Sequence, residues 1–89
     1  MTNENKRKFY RDHNIDIEVK PVITARCGKF FHTGNYDFVV SKWDENHTHI
    51  RNFYSSTVYP SYEAAENTAI ELAVAIFEGR EENKREKYI

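Results

Sequence analysis

The stretch SYEAAENTAIELAVAIFE, Ser61 to Glu78, decides the fold. Tyr62, Ala65, Ala69, Leu72, Ala73 and Ile76 recur at three- and four-residue spacing, which places them on one face of a helix. Ile70, Val74 and Phe77 widen that face into a broad apolar arc. Ser61 is suited to cap the first turn, where Glu63 complements the helix dipole, and Gly79 suits a left-handed C-terminal cap. Pro60, just before the cap, opposes continuation of any preceding strand. Glu63, Glu66, Glu71 and Glu78 stand on this segment with no Lys or Arg, a net charge of −4. So acidic a surface repels a phosphate backbone.

Upstream the period changes to two. Ile15, Ile17, Val19, Ile23 and Ala25 alternate with Asp16, Glu18, Lys20, Thr24 and Arg26, which is the pattern of a half-buried strand. Pro21 cannot donate to a ladder, so this strand is expected to be an edge, broken or bulged there. Cys27-Gly28-Lys29 reads as a turn and Thr33-Gly34-Asn35 as a second irregular point; Phe30–His32, between them, is left unassigned. Tyr36–Trp43 and His49–Tyr54 are rich in aromatic and β-branched residues and flank the turn-forming run Asp44–Thr48, predicting a hairpin. A register of Val40 opposite Asn52 and Phe38 opposite Tyr54 gives a core face of Tyr36, Phe38, Val40, Ile50 and Tyr54. The other face then collects Asp37, Val39, Ser41, Trp43, His49, Arg51 and Phe53.

The fold class expected is therefore α+β. A small antiparallel sheet of three strands, or four if Thr57–Tyr59 joins, packs against one C-terminal amphipathic helix in the order β-β-β-α. A single domain is assigned to residues 15–79. Residues 1–14 hold Lys6, Arg7, Lys8 and Arg11 against Glu4 and Asp12, with no sustained apolar period, and read as a flexible basic N-terminal arm. Residues 80–89 read as a charged tail, a helical extension or frayed. At 89 residues, one core is the ceiling, and about 60–65% of the unfolded chain's surface is buried on folding, so self-association is a natural source of extra stability. A single cysteine, Cys27, excludes an internal disulfide; with no apolar leader and no run of roughly 20 apolar residues, a cytoplasmic, non-membrane protein is expected.

Chemistry-bearing patterns are sparse. His32, His47 and His49 form the tightest histidine grouping, but neither Cys-x-x-Cys nor His-Glu-x-x-His occurs. Cys27 has no assignable base beside it, Asp44 and Glu45 are adjacent and diverge in an extended chain, and three scattered glycines build no phosphate loop. The expectation is a non-enzymatic protein with no cofactor, metal or small-molecule substrate.

What remains is a surface. Val39, Trp43, His49, Arg51 and Phe53 fall on the outer sheet face in the register above, and Trp, Phe and Arg are the residue types enriched in binding hot spots. These five are the candidate partner-binding residues, with another protein or a second copy in a homodimer as partner. Three antiparallel strands followed by a C-terminal helix also resemble, in topology, the sheet-reading DNA-binding domains of some phage integrases and, in part, double-stranded RNA-binding domains. The opening helix of the latter has no counterpart in the periodicity, and no signature residues of either are present. The resemblance implies the alternative function: nucleic-acid binding through the sheet face, with Lys20, Arg26, Lys29, Lys42 and Arg51, and through the basic arm. The near-neutral net charge of −1 and pI of about 6.4 oppose it.

Overall fold

The closing helix forms where its caps and period place it. In the structure, a computed structural model describing residues 2–79, α2 spans Tyr62–Phe77. The Ser61 hydroxyl accepts the Ala64 N–H at 3.1 Å, and Gly79, at φ +80°, ends the helix in the left-handed region. Its buried side chains are Ala65, Ala69, Ile70, Ala73 and Ile76. Three alanines let the helix axis approach the sheet closely, and the two isoleucines supply apolar bulk.

Three strands receive it: β1 (Ile15–Arg26), β2 (Lys29–Trp43) and β3 (Ile50–Tyr54), antiparallel in the order β1-β2-β3. The α+β class and the β-β-β-α order are those the sequence predicts. Ile15 and Ile17 of β1, Phe38 and Val40 of β2 and Phe53 of β3 complete the core with α2. Cys27 and Gly28, both at positive φ, form the two-residue turn between β1 and β2, with Arg26 paired to Lys29; that is the twist-compatible connection of a tight hairpin. The register shifts between Pro21 and Ile23, where Val22 on β1 faces Thr33, Gly34 and Asn35 on β2. Gly34 sits at φ +89° there. The proline thus lies on an edge strand at a bulge, and the unassigned Phe30–His32 belongs to β2. Tyr59 exchanges backbone hydrogen bonds of 2.8 Å with Tyr36 in each direction, an isolated bridge rather than a fourth strand.

Two expectations are corrected. The first concerns the β2–β3 register, in which Val40 pairs with Phe53 and Val39 with Tyr54, one residue away from the expected pairing. Such a slip exchanges every β3 side chain between faces: Phe53 enters the core, whereas Ile50 and Tyr54 leave it.

The second concerns residues 1–14. Asn3–Arg11 form a helix, α1, before the sheet, so the element order is α-β-β-β-α. Thr2 caps it by accepting the Asn5 N–H at 3.1 Å. No residue of α1 is fully buried, and nine residues are too few for an isolated helix to persist in water, so its order comes from docking. Arg7 donates to Glu66 Oε2 at 2.8 Å, to the Tyr62 hydroxyl at 3.0 Å and to the Ile17 carbonyl at 2.6 Å. Asn3 donates to Glu66 Oε1 and to Asn67 Oδ1, both at 2.9 Å. Burial works against the Arg7 charge, but the hydrogen bonds to Glu66 and Tyr62 outweigh it, and the guanidinium pKa is raised. Phe9 and Tyr10 meet Phe77 edge-on, with ring centroids 5.6 and 5.9 Å apart. The charged tail, 80–89, lies outside the described residues, as does Met1.

Substituting Arg7→Ala leaves Glu66 half-buried without its cation, and a cost of about 2–4 kcal/mol is expected in urea unfolding. Amide exchange in α1 should accelerate more than that in α2, because α2 keeps its packing on the sheet.

Candidate interaction surface

Helices cover one face of the sheet only. Alternation places Asp16, Glu18 and Lys20 of β1, Asp37, Val39, Ser41 and Trp43 of β2, and Ile50, Asn52 and Tyr54 of β3 on the other. Neither Phe9 and Tyr10, which pack beside α2, nor Phe30 and Phe31, which stand on the projecting β1–β2 hairpin, fold over it. At its centre Ser41 donates to Asn52 Oδ1 at 2.8 Å across the strand pair. Around this polar pair lie Val39 and Trp43, half-buried, and Ile50 and Tyr54, exposed. Tyr54 keeps 62% of its surface open.

The five residues singled out by sequence are not brought together on one face. Val39 and Trp43 lie on the open face. Phe53, at 3% exposure, is core, and Arg51 shares its helix-side face, with the guanidinium 5.6 Å from the Phe53 ring centroid. His49 belongs to the β2–β3 turn at the sheet's end, where Nδ1 lies 3.1 Å from Asp44 Oδ2. Ile50 and Tyr54 are the members that sequence reasoning missed. Their signal was present in the polar pair: only the observed register puts Asn52 beside Ser41 instead of in the core.

Turn geometry sets that register. Asp44 N–H donates to the His49 carbonyl and His47 N–H to the Asp44 carbonyl, both at 3.1 Å, with His47 at φ +56°. The Asp44 carboxylate accepts the Thr48 hydroxyl at 2.7 Å and the Thr48 N–H at 2.8 Å. Those two bonds, with a lesser contribution from His49, hold its pKa well below the usual carboxylate range.

Past the bulge, β1 and β2 continue as a two-stranded arm whose residues from Ile23 to Thr33 are all exposed. The His32 ring meets Tyr36 edge-on at 5.1 Å, so even-numbered β2 residues keep the helix side across the bulge. Phe30, at 78% exposure, therefore faces the helix side, and Phe31, Arg26 and Lys29 continue the open face. His32 and His49 sit at opposite ends of the sheet. Among the described residues no cluster of three or more His, Cys, Asp or Glu could hold a metal ion, and no helix is long and apolar enough to cross a membrane.

Comparison with protein-family models, curated proteins and solved structures finds no match. A helix, α1, does precede the sheet, where the periodicity showed none. Topology by itself does not carry function, and the first turns of α2 present Glu63 and Glu66 rather than cations.

Phe53→Ala is expected to cost about 3–5 kcal/mol in urea unfolding, whereas Tyr54→Ala, on the open face, should change stability by roughly 0.5 kcal/mol or less. The reverse ranking would restore the other register. Because the folded pKa of Asp44 is depressed, the turn's contribution is complete above the unfolded value of about 3.9 and is lost only as pH falls through the lower folded value. An NMR titration of the Asp44 carboxyl should show a midpoint well below 3.9, and Thr48→Val should move it up.

Proposed function

We propose that this chain is a small non-enzymatic binding module that acts by protein–protein contact through the open face of its sheet. One observation carries the reading: a whole sheet face, bearing Ile50, Tyr54, Val39 and Trp43 around the Ser41–Asn52 pair, has no covering element among the described residues. Small domains seldom leave an extended apolar patch on one side without an interaction to occupy it. Aromatic side chains around a small polar centre also combine apolar area with directional hydrogen bonds.

The alternative, nucleic-acid binding by the sheet face and N-terminal segment, draws on the α-β-β-β-α order and on the cations of the arm. Charge placement favours protein. The open face presents Asp16, Glu18 and Asp37 against Lys20 over the body of the sheet, and Arg7 of the N-terminal segment is already paired with Glu66. A phosphate backbone approaching the body of the sheet face meets carboxylates there.

The double substitution Ile50→Ser, Tyr54→Ser tests the reading. It should leave circular dichroism and the unfolding midpoint nearly unchanged while abolishing association, whether with a partner or between copies. Salt-sensitive binding of random RNA or DNA duplex that survives this substitution would favour the alternative instead.

A further inference from the structure

We propose that the occupant of the open face is a second copy of this chain, stacked face to face about a two-fold axis near the bulge, so that each copy's basic arm lies over the other's acidic sheet. This rests on the reading of the open face as the interaction surface and names its partner.

The inference comes from the order of charges along one face. Over the body of the sheet, Asp16 and Glu18 of β1 share it with Asp37 of β2, which stands opposite Lys20; at the arm's tip, Arg26 and Lys29 are paired across the strands. The rise of a strand, about 3.3 Å per residue, separates Asp16 from Arg26 by roughly 33 Å. A surface acidic at one end and basic at the other is complementary to itself when turned end for end, which is what a two-fold interface requires.

The register makes the match specific. Rotation about a point beside Val22 brings the Arg26–Lys29 rung over the Ile17–Val40 rung of the other copy, between Asp16 and Glu18. The same rotation carries Phe31, 49% exposed, to the Val19–Phe38 rung, between Asp37 and Val39 on the open face. Two sheets stacked in this way pack about 10 Å apart, within reach of these side chains.

The charged groups are available for it. Arg26 and Lys29 have no ion-pair partner among the described residues. Asp16 and Glu18 have only loose partners, Arg11 and Lys20, each at 3.7 Å and with all four side chains at least half exposed. Exposed pairs of that kind contribute little and yield to closer ones. Stacking also supports the arm, because a two-stranded ribbon alone is marginal in water.

Sedimentation equilibrium of the full chain and of two charge-reversed variants tests this. Arg26→Glu with Lys29→Glu, and Asp16→Lys with Glu18→Lys, should each weaken self-association about tenfold or more, and mixing them should restore a 1:1 heterodimer. A wild-type chain that stays monomeric at millimolar concentration, variants that dimerise like the wild type, or a mixture that stays monomeric would each overturn the proposal. Photo-crosslinking in cells from Tyr54→p-benzoylphenylalanine separates this from the broader reading. An adduct of twice the 10.6 kDa chain mass supports the second copy. An adduct with a different protein overturns the second copy while leaving the open face as the interaction surface, and no adduct at all overturns both.

Discussion

Arg7 is the point on which the described structure converges. Its guanidinium joins three elements at one point: α1, which carries it; α2, through Glu66 and Tyr62; and the outer edge of β1, through the Ile17 carbonyl. An edge strand presents unpaired backbone groups that invite pairing with another chain. Here an arginine takes one of those carbonyls and a helix lies alongside, so the edge is occupied by the protein itself. The arrangement also answers the charge imbalance of α2: the acidic helix holds a segment that carries four cations against two carboxylates and is too short to stay helical alone.

Much of the fold was legible because local rules agreed with the global ones. Ser61, Gly79 and the apolar period of α2 gave the same boundaries, and Pro21 with Gly34 marked the bulge from both strands. Helix α1 was not legible, since its nine residues show no apolar stripe and its order depends on side chains about 60 positions away. Yet both halves of that contact were visible separately. Phe9 and Tyr10 stood unexplained in a polar segment, and the apolar arc of α2 from Ile70 to Phe77 was wider than a narrow sheet needs. The rings on α1 lie along that surplus width.

The open face was half legible for a different reason. Residues of β2 fell on their correct sides because their alternation is unambiguous; β3 holds aromatic residues at two successive positions, Phe53 and Tyr54, so its composition suits either face. The choice was made in the turn, where the Asp44 carboxylate gathers the Thr48 amide and hydroxyl and His47 adopts a left-handed conformation. Such a conformation in a histidine has no sequence signature comparable to that of glycine. One unrecognised turn residue therefore moved Arg51 and Phe53 across the sheet and put Ile50 and Tyr54 in their place.

The bulge opposite Val22 divides the long hairpin into a portion bound to the core and a portion that touches none of it. Side chains beyond it answer to no packing constraint from the helices, so the arm can change length without disturbing the domain. Parity still governs such changes. Adding one residue to each strand near the tip would turn the residues beyond it to the opposite face, whereas adding two would preserve every assignment. The arm is thus a segment whose reach evolution can adjust only in even steps, each lengthening it by about 7 Å.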